Sequence, residues 1–162
     1  MDNVGLLAGS FDPFTLGHYD IAARAAKLFS VLYIAVANNT GDKHCVARIE
    51  ERTEIVRRST EQLPNVRVVT FDGFLTEYAR KIGAQTIVRG LRTFKDFEYE
   101  KSLSQVYKSQ WQEAESVFLI SSPAFSHISG TIVRDLARSG GMLDGYVCPQ
   151  AVTLVEKIYG RR

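Results

Sequence analysis

Ten residues near the start of the chain combine glycines, a serine, an acid and a histidine where a strand is expected to give way to a helix. Residues 9–18 have the sequence GSFDPFTLGH. Gly9 permits a close backbone approach, and Asp12-Pro13 marks a turn. A helix entrance presents unpaired backbone N–H groups and a partial positive charge, and it therefore binds phosphate. At that entrance His18 can add a further donor to a phosphoryl oxygen, so the predicted chemistry is phosphate binding.

Two arginines and two acids form a second candidate cluster farther along the chain. Arg89 and Arg92 flank Gly90-Leu91 at the end of an apolar run. A guanidinium group is a permanent cation whose fork of N–H groups matches the oxygens of a phosphate. Asp96 and Glu100 are four residues apart, a spacing that places both on one helix face. Solvated surface groups would also give this pattern, but the position of the arginines at a strand end favours phosphate binding.

The elements that must hold these groups alternate between strand and helix. Apolar runs predict strands at residues 4–8, 31–37, 66–71, 85–88 and 116–120. Helical spacing and capping signals predict helices at 19–29, 49–63, 74–82, 96–111, 129–138 and 149–159. Such alternation implies right-handed crossovers and a parallel sheet covered on both faces. We therefore expect residues 1–162 to form a single doubly wound, Rossmann-like α/β domain with a five-stranded parallel sheet and helices on both faces.

The carboxyl ends of the five predicted strands should meet at one pocket, because ligands bind at that edge of a parallel sheet. The groups that follow the strands, in order, are residues 9–18, Lys43, Phe74-Leu75, residues 89–92 and residues 126–131. This convergence follows from strand order alone.

Composition limits the classes of partner. The chain has 162 residues, 45% hydrophobic and 23% charged, with a formal net charge of +2. We therefore expect a globular protein with no nucleic-acid partner. No apolar run is long enough for a membrane span, and no basic segment precedes an apolar one at the start. Cys45 and Cys148 are far apart and lack zinc-ligand spacing, so a reduced, cytoplasmic protein without a metal centre is expected.

Three motifs together resemble the nucleotidyltransferase superfamily. Residues 9–18 are similar to its Gly-Thr/Ser-Phe-Asp-Pro turn followed by Thr/His-x-Gly-His, and residues 128–134, ISGTIVR, are similar to its Ile-Ser-Ser-Ser/Thr-x-x-Arg motif. The Arg-Gly-Leu-Arg stretch with residues 96–100, DFEYE, closely resembles one branch, the bacterial phosphopantetheine adenylyltransferases. The resemblance covers nearly the whole chain, including the helix start at Glu50-Glu51-Arg52.

The resemblance implies transfer of the adenylyl group of ATP to 4′-phosphopantetheine, which gives dephospho-coenzyme A and pyrophosphate. The residues then expected to contact ATP are Ser10, Phe11, His18, Gly90, Leu91, Arg92, Glu100, Phe125, Ser126, His127, Ile128, Ser129, Gly130 and Thr131. Those expected to contact phosphopantetheine are Ser10, Lys43, Leu75 and Arg89. The expected catalytic residues are His18, Lys43 and Arg92.

The chemistry of this reaction agrees with the residues present. The phosphate of the acceptor is already an ionised nucleophile, so no serine or cysteine nucleophile is required. The protein must align the acceptor oxygen with the α-phosphorus and stabilise the developing charge. Magnesium is expected to accompany ATP, held by phosphates and water. The family further implies a homohexamer and coenzyme A as a feedback inhibitor.

The sequence departs from the family pattern at three points. Ser10 stands where the family usually has threonine, and the hydroxyl is kept. The loop that carries the catalytic lysine is one residue longer, and Lys43 is placed by counting back from Glu50. Gly130 replaces the middle serine of the C-terminal motif, and Gly130→Ser is expected to tighten ATP binding modestly.

Three alternatives differ in reaction or class. The same chemistry could act on nicotinamide mononucleotide with ATP, or on glycerol phosphate with CTP, although the stretch from Arg89 to Glu100 argues against both. A binding module without catalysis is disfavoured by His18, Lys43 and Arg92. A dinucleotide-binding dehydrogenase domain would need a Gly-x-Gly-x-x-Gly after the first strand, which is not there.

Overall fold

The chain alternates strand and helix from its start. The computed structural model describes residues 3–38 and 44–160. The strands are β1 (Val4–Gly9), β2 (Val31–Ala37), β3 (Val66–Phe71), β4 (Thr86–Leu91) and β5 (Glu115–Ile120). The helices are α1 (Leu16–Ala26), α2 (Ile49–Thr60), α3 (Leu75–Lys81), α4 (Phe94–Gln110), α5 (Gly130–Arg138) and α6 (Val152–Tyr159), with short 3-10 turns at Pro123–Phe125 and Pro149–Ala151.

The five strands form one parallel sheet in the order β3-β2-β1-β4-β5. The chain first builds outward from β1 to β3 and then crosses back to place β4 on the other side of β1. The strand order therefore reverses between β1 and β4, which is where such sheets open a crevice for ligands. The doubly wound fold predicted from the sequence is confirmed.

The sheet separates two apolar cores. Leu6 and Leu7 are neighbours in β1, and because successive side chains of a strand point to opposite faces, each belongs to a different core. The core containing Leu7 packs against α1, α2, α5 and α6, and the core containing Leu6 packs against α3 and α4. Burial on both faces explains the unbroken apolar runs of the central strands. Among the helices of the described residues, none combines the length and apolar character needed to cross a membrane.

Several element boundaries differ from the sequence-based prediction, and two of them matter for the site. Helix α1 begins at Leu16, so His18 lies inside its first turn. Strand β4 continues to Leu91, so Arg89 and Gly90 lie within the strand. Pairing with β5 causes this extension, because the ladder runs on through Arg89↔Phe118 to Leu91↔Ile120. Tertiary pairing here outweighs the local preference of glycine to end a strand.

Candidate active site

A cavity of about 740 Å³ opens at the carboxyl edge of the sheet, at the switch point between β1 and β4. Its walls come from the turn after β1, the first turn of α1, the end of β4, one face of α4 and the entrance of α5. The segment after β3 closes one side. The described groups that were expected to converge do so, except for Ser126 and His127.

Most of the residues expected to bind ligands line this cavity. They are Ser10, Phe11, His18, Leu75, Arg89, Gly90, Arg92, Glu100, Ile128, Ser129, Gly130 and Thr131. Lys43 lies outside the described residues. The structure therefore brings side chains from positions 10 to 131 into one cavity.

Four of the expected residues do not line the cavity. Leu91 is buried at the end of β4. Phe125, the last residue of the 3-10 turn, packs against the core that contains Leu7. The hydroxyl of Ser126 donates to the Pro123 carbonyl at 3.0 Å. His127 is exposed and its ring packs edge-on against Tyr146, with centroids 6.0 Å apart. The 3-10 turn carries this part of the loop away from the cavity, so only residues 128–131 of the motif face it.

His18 is oriented by its own helix cap. Thr15 is the N-cap of α1, and its backbone N–H donates to His18 Nδ1 at 3.0 Å. A backbone N–H can only donate, so Nδ1 must accept, and the proton of the neutral ring is then on Nε2. Phe11 and Phe14 hold the ring from two sides, with centroid distances of 5.2 and 5.4 Å. The cap therefore makes Nε2 the nitrogen that can donate to a phosphoryl oxygen.

Arg89 and Glu100 form a bidentate ion pair between β4 and α4. Arg89 Nε donates to Glu100 Oε2 at 2.6 Å, and Nη2 donates to Oε1 at 2.5 Å. Arg89 Nη1 also donates to the Ala8 carbonyl at 2.8 Å. Burial alone would lower the pKa of Arg89, but the hydrogen bonds and charge of Glu100 outweigh it and raise that pKa. Glu100, expected to contact ATP, thus has both carboxylate oxygens engaged by Arg89.

Arg92 links the end of β4 to the entrance of α5. Its Nη1 donates to the Ile128 carbonyl at 3.0 Å, and its Nε lies 3.5 Å from Asp96 Oδ2. Asp96 also accepts the backbone N–H groups of Arg92 and Thr93 at 2.9 and 3.1 Å, which caps α4. These bonds fix the Arg92 guanidinium beside the α5 entrance. A polyphosphate chain bound there would contact both the guanidinium and the backbone N–H groups of the helix entrance.

The entrance of α5 lies directly against the turn after β1. Ser129 caps the helix and accepts the Ile132 N–H at 3.2 Å. At Gly130 a Cβ atom would lie 2.9 Å from the Asp12 carbonyl oxygen. The sequence-based expectation that serine would be tolerated here is therefore corrected, because any side chain would push two backbone segments apart. Arg134 donates to the same carbonyl.

Sequence reasoning gave Arg52 no role beyond marking a helix start, but it is a buried support of the site. Its side chain is in α2 with 2% of its surface exposed. Nη1 donates to the Ser10 carbonyl at 2.5 Å and to the Ala37 carbonyl at 2.9 Å, and Nε donates to the Ala47 carbonyl at 3.1 Å. Arg52 therefore ties the turn after β1 to the end of β2. A charged residue on the apolar face of a predicted helix is the signal that could have found it.

Both polar and apolar side chains line the cavity. The polar ones include His18, Arg89 and Arg92. The apolar ones come from the end of β3, the start of α3 and one face of α4, namely Phe71, Phe74, Leu75, Leu103 and Val106. Such a cavity suits a ligand that joins phosphates to a less polar arm.

Three kinds of comparison with known proteins agree with one another. A family model described as cytidylyltransferase-like matches residues 6–136. A phosphopantetheine adenylyltransferase from Thermosynechococcus vestitus is 47% identical over 82% of this chain and 79% of its own. Another from Caldanaerobacter subterraneus subsp. tengcongensis is 42% identical over 89% of each chain. A solved structure assigned to a nicotinate-nucleotide adenylyltransferase from Vibrio parahaemolyticus, 16% identical, matches with a TM-score of 0.75 over 100% of this chain and 98% of that one, and it shows the shared fold.

Proposed function

The chain belongs to the cytidylyltransferase-like family and, within it, to the phosphopantetheine adenylyltransferases, and on that basis we propose how its cavity performs the reaction. The enzyme transfers the adenylyl group of ATP to 4′-phosphopantetheine and releases pyrophosphate and dephospho-coenzyme A, a step of coenzyme A biosynthesis. We propose that residues 1–162 form one nucleotidyltransferase domain, because the family match covers residues 6–136 and α6 packs in the same core as the sheet.

The transfer is a direct in-line displacement at the α-phosphorus. An oxygen of the acceptor phosphate forms a bond to the α-phosphorus as the bond to the β-phosphate oxygen breaks, and pyrophosphate leaves with that electron pair. No protein nucleophile takes part. The protein supplies alignment and stabilisation of the charge that develops on the phosphoryl oxygens.

We assign charge stabilisation to polar groups that line the cavity. The Nε2–H of His18 donates to an α-phosphoryl oxygen, an arrangement supported by the hydrogen bond that occupies Nδ1. Arg92 and the backbone N–H groups at the α5 entrance hold the leaving pyrophosphate, since both face the same part of the cavity. Lys43, outside the described residues, is proposed from its sequence position to share this role.

The apolar side chains and Arg89 together suggest an orientation for the acceptor. Its pantetheine arm lies along Phe74, Leu75 and Leu103, and its phosphate reaches toward Arg89. The observation that carries the proposal is that this apolar wall and the phosphate-binding groups belong to one cavity, because the reaction requires a phosphate with an extended arm to meet a nucleotide there.

Magnesium enters this proposal with the nucleotide. Within residues 3–38 and 44–160, no three histidine, cysteine, aspartate or glutamate side chains lie close enough to hold a metal ion together. The three carboxylates that line the cavity are bonded already: Glu100 to Arg89, Asp96 to the cap of α4, and Asp12 to the Ala47 N–H and the Tyr159 hydroxyl. These donors do not make a metal site, so we propose that magnesium arrives on the phosphates of ATP and is completed by water.

Assembly, regulation and location are also proposals. Phe94 is 73% exposed and lies beside Phe97, whose ring contacts Phe118 on the edge strand β5. This aromatic surface supports contact with further copies of the chain, as in a homohexamer. Coenzyme A shares most of its atoms with the product, which supports feedback inhibition by occupation of the same cavity. Cys45 and Cys148 form no disulfide, which supports a reducing compartment such as the cytoplasm.

Pyrophosphate release by the purified protein tests the proposed function. The acceptors compared are 4′-phosphopantetheine, nicotinamide mononucleotide and nicotinate mononucleotide with ATP, and glycerol phosphate with CTP. Of these acceptors, we expect only 4′-phosphopantetheine to give rapid pyrophosphate release with ATP, and we expect dephospho-coenzyme A as the second product. Preference for any other acceptor would overturn the assignment of the substrate, and release with none would overturn the activity.

A further inference from the structure

The carboxylate of Asp12 lies in the turn after β1 but is held by groups that are distant in sequence. Oδ2 accepts the backbone N–H of Val46 at 2.8 Å, and Oδ1 accepts that of Ala47 at 3.1 Å. The guanidinium of Arg134 lies 3.7 Å from Oδ2. The hydroxyl of Tyr159 donates to Oδ1 at 2.7 Å. Three hydrogen bonds and one ion pair, from three other parts of the chain, therefore meet on one side chain.

Tyr159 takes part in this cluster without reaching the cavity. It is the last residue of α6, only 2% of its surface is exposed, and it is not among the residues that line the cavity. Burial, followed by the hydrogen bond to Asp12, raises the pKa of its hydroxyl. The hydroxyl thus stays protonated and remains a donor to the carboxylate throughout the range in which an enzyme assay is run.

The turn that Asp12 supports has a conformation that needs support. Phe11 has a φ of 47°, in the left-handed region that a bulky side chain disfavours. On one side of Phe11, Arg52 holds the Ser10 carbonyl, and on the other side Asp12 is held by the cluster just described. Phe11 in turn packs against the ring of His18. A shift of Asp12 would therefore be passed to the groups that face the nucleotide.

We propose that Tyr159 is a positioning residue for adenylyl transfer, which acts through Asp12 to hold the turn of residues 10–12 in register with His18 and the α5 entrance. The inference rests on the proposed function and names a contribution of the C-terminal helix to the same site. Because Tyr159 itself does not line the cavity, its loss should disturb alignment at the reacting atoms more than binding. Misalignment lowers kcat, whereas lost binding raises KM.

Steady-state kinetics of Tyr159→Phe test the proposal, since this change removes one hydroxyl and keeps the ring. We expect kcat to fall roughly tenfold while KM for ATP and for phosphopantetheine stays within about twofold. Val155→Ala is the matched control, because Val155 is fully buried one turn earlier in the same helix. It should lower the melting temperature and leave kcat at the assay temperature as in the wild type. An unchanged kcat in Tyr159→Phe, or an equal fall in Val155→Ala, would overturn the proposal.

A double-mutant comparison separates positioning from a general loss of structure. If Tyr159 acts through Asp12, adding Tyr159→Phe to Asp12→Asn should lower kcat little further, because the partner has already been altered. If the double variant showed the full decreases in kcat of both single variants added together, the proposed action through Asp12 would be contradicted.

Amide hydrogen exchange supplies a readout that does not depend on turnover. The N–H groups of Val46 and Ala47 are bonded to the Asp12 carboxylate, so Tyr159→Phe should speed their exchange and Val155→Ala should not. Unchanged exchange in Tyr159→Phe would overturn the inference. If the wild type formed no dephospho-coenzyme A, the proposed function would fail, but the exchange of these two amides would still decide whether Tyr159 holds Asp12.

Discussion

A single backbone hydrogen bond decides how His18 can act. The Thr15 N–H occupies Nδ1, so the neutral ring is a donor at Nε2 and cannot act there as a base. A donor of this kind suits a reaction in which charge grows on phosphoryl oxygens and no proton needs to be removed from the nucleophile. The cap that begins α1 thus also sets the chemical role of the side chain.

Replacement of His18 by alanine should lower kcat by about 10²–10³, the usual cost of losing one preorganised donor to a developing charge. ATP binding should be largely kept, because the contact strengthens mainly in the transition state. His127→Ala is the matched control, since the His127 ring lies outside the cavity against Tyr146 and its loss should leave turnover intact. Turnover and ATP calorimetry on both variants check this. A similar loss of turnover in the His18→Ala and His127→Ala variants would show that His127 also contributes to the active site.

Arg89 serves both the ligand and the fold, because its bidentate partner Glu100 is nearly buried. Arg89→Ala should raise KM for phosphopantetheine and also lower the free energy of unfolding by about 1–3 kcal/mol, the cost of leaving a polar group unpaired. Arg58→Ala is the control, since the pair of Arg58 with Glu54 is about half exposed and should contribute less than about 1 kcal/mol. Denaturation and steady-state kinetics measure both effects. A change in KM without a loss of stability would mean that Glu100 finds another partner.

At the scale of elements, the active site depends on how closely α5 approaches the turn after β1. Gly130→Ala places a methyl group 2.9 Å from the Asp12 carbonyl, and relief requires movement of backbone on one side or the other. We expect a loss of about 1–3 kcal/mol in stability, as for other overpacked sites, together with weaker ATP binding. Gly17→Ala is the control for stability, because its nearest contacts would be at 3.6 Å. Melting curves measure the stability and calorimetry measures the ATP affinity. If both were unchanged in Gly130→Ala, the α5 entrance and the turn after β1 would be shown to separate easily.

The elements of the fold could be predicted because their signals are local. Apolar runs, helix spacing and cap residues gave every strand and helix that positions the cavity, and the parallel order followed from their alternation. The end of β4 differs from the prediction because its last residues are held by pairing with β5, which no local sequence pattern indicates. The family resemblance implies that the whole loop before α5 contacts the nucleotide, whereas a 3-10 turn carries Phe125 and His127 away from the cavity.

The supporting residues of the site could not be predicted for a different reason. The bonds of Arg52 and Tyr159 to the turn after β1 span 42 and 147 residues. Neither residue has a sequence neighbour that indicates its partner. Likewise, the need for glycine at position 130 arises from a contact with Asp12, so it is visible only once both segments are in place.

For the molecule as a whole, buried hydroxyl groups make stability sensitive to alkali. Burial and the Asp12 hydrogen bond raise the pKa of Tyr159 above its ordinary value of 10.0. The folded protein therefore keeps this proton at a pH where the unfolded chain has lost it. The contribution to stability is fully present below about pH 10 and is lost as the pH rises further, by about 1.4 kcal/mol per pH unit for one such group.

Tyr159→Phe removes this titration, so its stability should fall less steeply than that of the wild type above pH 10. Urea denaturation at a series of pH values from neutral to strongly alkaline would measure the two slopes. Burial also raises the pKa of the Cys148 thiol and the Tyr107 hydroxyl, so some alkaline loss should remain in the variant. Equal slopes would show that Tyr159 ionises in the folded protein as readily as in the unfolded chain.

The bond between Asp12 and Tyr159 also has a consequence for synthesis on the ribosome. The acceptor is translated 147 residues before its donor, and a ribosome makes roughly 5–20 residues per second. For several seconds a nascent chain can therefore contain residues 9–18 while Asp12 still lacks its hydrogen bond from Tyr159. The turn of residues 10–12 acquires its final geometry only when α6 has emerged and docked. A polypeptide released before that point would contain residues 9–18 without the alignment that adenylyl transfer requires.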